Sequence, residues 1–235
     1  DGNILGGGLS EYLVIPAWQI IRMPHDVDMR HAALTEPLAC CIHSIRKARL
    51  KFGDTVVIIG MGIMGYFHVK LAQMCGARII VSKTDEEKRK TAIREGAAYA
   101  FDPRQCDVGE EIRRLTDGLG ADAVINTIPF KEVWQQAIDM LAPYGRLIAY
   151  SSQNSKEPIG VDFGMVHSRE IEFIGTLNPT IEDNQMAVKL IGYQMIDMEK
   201  VIDREFSFAQ GKEAFDYACK PGVYRVMINY GKEDN

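Results

Sequence analysis

Residue type and spacing first point to chemistry at Gly60-x-Gly62-x-x-Gly65. Four β-favouring residues, Val56-Val57-Ile58-Ile59, run directly into this triplet, and a helical pattern follows it. In that setting each glycine has a task. Gly60 permits the tight turn out of the strand, Gly62 lets the backbone approach a pyrophosphate, and Gly65 lets the helix pack closely on the strand. The phosphates would sit at the helix start. There the backbone N–H groups of Ile63, Met64 and Gly65 have no partner within the helix. The chemistry is therefore the cradling of a dinucleotide, with a ligand-free strand–turn–helix as the plain alternative.

The elements needed to hold such a site recur along the chain. Strands are expected at Thr55–Ile59, Arg78–Ser82, Tyr99–Phe101, Ala121–Asn126, Arg146–Tyr150 and Glu172–Leu177, with helices at Met64–Cys75, Glu86–Glu95, Gly109–Thr116 and Phe130–Leu141 between them. Six strands alternating with helices make an α/β chain with a doubly wound parallel sheet. Val166–Arg169 reads as a turn, and Pro143-Tyr144-Gly145 as the turn into the fifth strand. Before the sheet, Leu9–Ile15 reads as a strand, and a helix starts near Glu36, where Pro37 is tolerated in a first turn. After it come helices at Ile181–Ile191 and Gly211–Ala218 and strands at Phe206–Phe208 and Tyr224–Tyr230.

The chain has 235 residues, 46% hydrophobic and 25% charged, with a formal net charge of −5. This balance argues against nucleic acid or an anionic membrane as a partner. No apolar run reaches the length of a membrane span, and the N-terminus lacks the basic start and apolar core of a signal peptide. The five cysteines, Cys40, Cys41, Cys75, Cys106 and Cys219, form no metal-binding pair by spacing. They read as buried reduced thiols, which fits the cytoplasm.

The order of motifs resembles the medium-chain, zinc-type alcohol and polyol dehydrogenases. The matching stretches are Gly8-Leu9-Ser10-Glu11-Tyr12, Glu36-Pro37-Leu38-Ala39, the glycine triplet, Glu95-Gly96-Ala97, Pro143-Tyr144-Gly145-Arg146-Leu147, Ile174-Gly175-Thr176 and Tyr224-Arg225-Val226. The Glu-Pro-Leu form is similar to the sorbitol and threonine dehydrogenase branch and argues against a zinc-free quinone-reductase type. The resemblance implies a six-stranded Rossmann domain over residues 36–177, with remnants of a GroES-like catalytic domain at 1–35 and 178–235. It implies NAD(P)-dependent oxidation of a secondary alcohol on a polyol or sugar-like substrate, with zinc as Lewis acid. It also implies a homodimer joined through the edge of the sheet at Glu172–Leu177, with Pro158–Phe163 beside it. The family's zinc-binding Cys and Gly-His-Glu motif are missing, so only Glu36 matches a zinc-side position. Cofactor binding without catalysis is therefore expected of this chain, and a non-catalytic dinucleotide-binding module is the alternative. Without the family, Glu36 reads as an acid favoured by a helix N-terminus.

Counting back from Glu95-Gly96-Ala97 places Lys83 where NAD-dependent members carry an acid for the ribose hydroxyls. A cation there suits the 2′-phosphate of NADP, with Ser82, Thr84 and Lys88 beside it. A register two residues later would put Asp85 there and favour NAD. Arg225 matches a basic position that reaches back to the cofactor phosphates. Asn126 ends the fourth strand, at the edge where ligands sit. His43 reads as a packing residue and His68 as partly exposed, and His25, His31 and His167 have no evident partner.

Overall fold

The computed structural model describes residues 8–10, 12–24, 26–152 and 157–231. Asp1–Gly7, Glu11 and His25 lie outside the described residues. The sheet is built on β1 (Thr55–Ile59), an apolar run buried along its whole length, as a strand covered on both faces must be. It pairs in parallel with β2 (Arg78–Ser82) on one side and β4 (Ala121–Asn126) on the other. β3 (Tyr99–Phe101), β5 (Leu141–Ala149) and β6 (Glu172–Gly175) complete six parallel strands in the order β3-β2-β1-β4-β5-β6. This is a doubly wound Rossmann sheet. The winding reverses between β1 and β4, so a crevice opens at their carboxyl ends.

The helices follow from capping and apolar stripes. α3 (Ile63–Met74) leaves the glycine triplet and buries Tyr66, Phe67, Val69 and Leu71. α4 (Glu86–Arg94) is capped by Asp85, whose carboxylate accepts from the Lys88 amide. Asp107 caps α5 (Val108–Leu115) in the same way, and α6 (Lys131–Asp139) follows β4. α2 (Thr35–Ala48) buries Leu38, Cys41, Ile42 and Ile45 along one stripe. Its last carbonyls are held by a buried arginine. Arg146 donates to Ala48 O at 2.7 Å and Arg49 O at 2.8 Å, and reaches Asp122 O and the Asp54 carboxylate. A cation at a helix C-terminus is favoured by both hydrogen bonding and the helix dipole.

Several expectations change. β5 begins at Leu141, not Arg146: Ala121 pairs with Leu141, then the register shifts before Ala123 pairs with Arg146. Pro143-Tyr144-Gly145 is a bulge inside this strand, with Tyr144 at φ 62°, a place where proline is tolerated. The expected turn at Val166–Arg169 is part of a helix, α7 (Phe163–Arg169), capped by Asp162 and ended by Glu170 at φ 49°. β6 stops at Gly175, two residues short of the expected Leu177. Among the described residues of Leu9–Ile15 there is no strand; Tyr12 and Val14 are exposed. Only Cys41 is a buried thiol; Cys40, Cys75 and Cys106 are half-buried, Cys219 is exposed, and all five are free.

The chain divides into two compact units, Thr35–Ala187 and the pair of segments Asp1–Leu34 and Val188–Asn235. The second boundary falls ten residues beyond the expected 177/178, within α8 (Ile181–Gly192). Asp183 accounts for this, since it is gripped by His43 and Arg46 of α2. The smaller unit contains α1 (Met29–Ala32), the parallel pair β7 (Arg204–Ser207) and β8 (Val226–Asn229), and α9 (Gly211–Ala218) between these two strands.

Candidate functional site

The glycine loop occupies the crevice. Gly60 lies at φ +103°, and a Cβ there would come within 2.3 Å of Thr127 Oγ1. A Cβ on Gly65 would lie 2.2 Å from Gly60 O. The fold itself therefore demands glycine at both positions. Gly62 is different: it is exposed, has no positive φ, and a Cβ there would meet nothing within 4 Å. Nothing among the described residues explains glycine at this position, whereas a ligand pressed against the backbone would. Ile63 and Met64, half-buried, form the first helical turn beside it.

Met64 is held from three sides by residues the sequence did not single out for this task. The Tyr150 hydroxyl donates to Met64 Sδ at 3.1 Å, and the Cys41 thiol lies 3.7 Å from Met64 O and 3.8 Å from Sδ. His68 Nδ1 is 2.7 Å from Met64 O, and its Nε2 is 2.9 Å from Ser44 Oγ. His68 is fully buried, contrary to expectation, because it fills the contact of α2 with α3 and stacks edge-on against Tyr150. Burial pushes its pKa down to about 4, against the opposing bond to Met64 O. The ring is therefore neutral, with Nδ1–H donating to the carbonyl and Nε2 accepting from Ser44. The spacing of His68 four residues after Met64 was the available signal.

Two polar atoms at the carboxyl ends of the central strands are orphaned. Asn126 Oδ1 accepts from the Ile128 amide, but Asn126 Nδ2 is buried without a partner among the described residues, as is Ser151 Oγ after β5. Unpaired buried polar groups are costly, so these two atoms are suited to meet the polar groups of a ligand.

At the other end of the crevice, the Ser82 carbonyl accepts from the Gly60 amide, so Ser82 ends β2 directly beside the glycine loop. Lys83 follows, half-buried. Asp85 is spent on capping α4, and Lys88 stands one turn into that helix. Arg89 donates to the Lys83, Thr84 and Asp102 oxygens, and Arg104 to Thr84 O and both Asp102 oxygens. Hydrogen bonds from the Arg104 side chain and backbone hold the Asp102 carboxyl well below the usual range. Arg225 belongs to the smaller unit, where its backbone exchanges hydrogen bonds with Asp203 and its buried Nε has no partner among the described residues.

A family model described as zinc-binding dehydrogenase matches residues 63–192, more than half of the chain. The chain belongs to the zinc-binding dehydrogenase family. It is 29% identical over 230 residues to a sorbitol dehydrogenase of Halalkalibacterium halodurans, covering 97% of this chain and 66% of that protein. It is 25% identical over 236 residues to a D-arabitol-phosphate dehydrogenase of Enterococcus avium, covering 99% and 67%. The chain thus spans about two thirds of the length of the curated relatives it matches. A solved structure from Sinorhizobium meliloti, described as a zinc-binding dehydrogenase bound to NADP, superposes with a TM-score of 0.88 at 28% identity, over 94% of this chain and 66% of that one.

For a zinc-binding dehydrogenase the donor set is sparse. Catalytic zinc takes three protein ligands and keeps one position open. Glu36 is exposed at the start of α2, and its carboxylate accepts from the Cys40 thiol at 3.3 Å. Burial, aided by Glu36, pushes that thiol up to about 12, so it is not a thiolate. Among the described residues the one trio with metal-ligand geometry is Asp28, His31 and Glu199, in the smaller unit. Arg30 already fills it, donating to Asp28 at 2.6 Å and Glu199 at 2.5 Å. His31, expected to lack a partner, contacts Glu199. The described residues do not fit a catalytic zinc.

Proposed function

We propose that this chain binds a nicotinamide dinucleotide across the Gly60–Gly65 loop, as part of an enzyme that oxidises a secondary alcohol of a polyol or sugar-like substrate. The observation that carries the reading is Gly62, an exposed glycine with open space around it, at a helix start that no side chain of its N-cap residue caps. In this reading the amides of Ile63, Met64 and Gly65 bind the diphosphate, and Asn126 borders the nicotinamide. When bound, the cofactor supplies the hydride acceptor. The chain's own residues bind and orient it, with Met64 fixed by Tyr150, Cys41 and His68.

NADP is preferred to NAD in this proposal. Lys83 at the end of β2 offers charge to a 2′-phosphate, with Ser82 and Lys88 beside it, and Asp85 is occupied as a helix cap. The sorbitol and arabitol-phosphate relatives support a polyol-like substrate. The site as described supports cofactor binding without zinc chemistry, so a second reading is a dinucleotide-binding module without catalysis. The free thiols agree with a reducing compartment such as the cytoplasm. No helix among the described residues is long and apolar enough to cross a membrane.

Calorimetry with NADP(H) and NAD(H), on wild type and Gly62→Val, tests the reading. We expect binding by wild type and its loss in a folded variant. No binding of either cofactor by folded wild type would overturn it. A homodimer through β6 is also proposed: Phe173 is exposed on an edge strand, and an open edge invites pairing. Light scattering on wild type and Ile174→Pro checks this, and a wild-type monomer would dismiss it.

A further inference from the structure

His43 is the unexpected residue of the crevice. It sits on α2, two turns after Glu36, and lines a cavity of about 160 Å³ with Cys40, Tyr150, Thr176, Leu177 and Asn178. Those last residues follow the carboxyl ends of β5 and β6. The glycine loop stands at the centre of the sheet, with the β2 and β3 ends on one side and the β4, β5 and β6 ends on the other. A dinucleotide whose adenosine lies toward β2 must carry its second base toward β5 and β6. The cavity lies on that side, and Tyr150 ties it to Met64 in the first turn of α3.

The imidazole is not a passive packing group. Its Nδ1 lies 2.8 Å from Asp183 Oδ2, and Asp183 is fully buried. Asp183 also accepts from the Thr180 amide at 2.9 Å, the Thr180 hydroxyl at 2.7 Å and Arg46 at 2.6 Å. Burial pushes its carboxyl up, but these partners outweigh it and hold the group down at about 2. An ionised Asp183 can only accept, so Nδ1 must donate. In the neutral ring that leaves the lone pair on Nε2, which has no partner among the described residues. Three other side chains at the cavity have spent their donors. The Cys40 thiol donates to Glu36, the Tyr150 hydroxyl to Met64 Sδ, and the Thr176 hydroxyl to Ala149 O.

We propose that His43 is a specificity-determining residue of the cofactor site, whose Nε2 accepts an N–H of the nicotinamide carboxamide. The inference rests on the dinucleotide reading above and adds a chemical preference to it. A primary amide offers two N–H donors to such an acceptor, whereas the corresponding carboxylate offers none and would meet a lone pair.

The test titrates three probes by calorimetry: NADP⁺, its nicotinic acid analogue, and 2′-phospho-ADP-ribose, which lacks the ring altogether. Wild type should bind NADP⁺ roughly tenfold more tightly than the acid, the size of one such hydrogen bond. His43→Ala should weaken NADP⁺ by about the same factor and erase the preference for amide over acid, leaving 2′-phospho-ADP-ribose within about twofold. His43→Gln, which keeps an acceptor, should restore part of the preference. The ring-free probe also reports folding, because it needs only the glycine loop and the adenosine side. If wild type binds all three but does not distinguish amide from acid, or if His43→Ala weakens all three equally, His43 is merely structural and the inference fails alone. If folded wild type binds none of the probes, the dinucleotide reading fails and takes the inference with it.

Discussion

The two ends of the crevice are built in opposite ways. Toward β2 and β3 the side chains are cationic, half-buried at Lys83 and Arg89 and exposed at Arg104. Lys83 follows the strand, while Arg89 and Arg104 share the single carboxylate of Asp102. Toward β5 and β6 the groups are packed: Met64 is held by a phenol, a thiol and an imidazole, and Asp183 fixes His43. In the proposed reading, the first end recognises charge through Lys83. In the same reading, the second recognises shape and a hydrogen-bond pattern through packed groups. Between them, the loop uses two glycines to exist and a third to leave room.

The largest effect that could break this contrast lies in the loop itself. Gly65→Val drives a side chain into Gly60 O and should cost more than about 4 kcal/mol, enough to abolish folding. Gly62→Val should cost under about 1 kcal/mol of stability, because nothing stands in its way. Chemical denaturation of the two variants separates structural from ligand-reserved glycine; equal destabilisation would erase the distinction.

The packed end should be sensitive to acid. His68 has its folded pKa at about 4, below its ordinary value. The unfolded chain therefore binds the extra proton first, and stability falls as pH drops from about 6.5 toward 4. The loss over that window should be about 3 kcal/mol. His68→Gln should flatten that slope in urea titrations at several pH values. A slope unchanged by the substitution would mean that other groups carry it.

The charged end should respond by affinity rather than stability. Lys83→Asp should remove a charge-assisted contact of about 1.5–3 kcal/mol with a 2′-phosphate, one to two decades in affinity, and reverse the order of NADP and NAD. Competition binding reads this, and a wild-type preference for NAD would speak against Lys83 as a phosphate contact. Arg104→Ala should be the mildest change, leaving stability close to wild type, since its side chain is largely exposed and Arg89 also holds Asp102. Thermal unfolding checks it.

This contrast explains what could be read from sequence. β1, β2, β3 and β4 were legible to the residue, because short β-branched or aromatic stretches between helical patterns and glycine, aspartate or proline punctuation leave little choice. The glycine loop was legible for the same local reason. The bulge in β5 was not: Pro143-Tyr144-Gly145 has turn chemistry, and only pairing of Leu141 with Ala121 shows that the strand continues through it. The Leu9–Ile15 expectation failed because alternation alone does not supply a partner strand. That Lys83 follows the end of β2 could be read by local counting. His43, His68 and Tyr150 could not, because their roles depend on Asp183, Ser44 and Met64, contributed by other elements.

The buried Arg146 carries a consequence for how the chain is made. It supplies the donors for the last carbonyls of α2, and it lies 98 residues after Ala48 in the sequence. At synthesis rates of about 5–20 residues per second, the end of α2 would wait roughly 5–20 s on the ribosome before that guanidinium emerges. The helix that presents Glu36, Cys40 and His43 can therefore form early at its beginning but is secured at its end only when β5 arrives. Arg146 thereby makes the last turn of this helix a late event in folding, whose timing is set by translation.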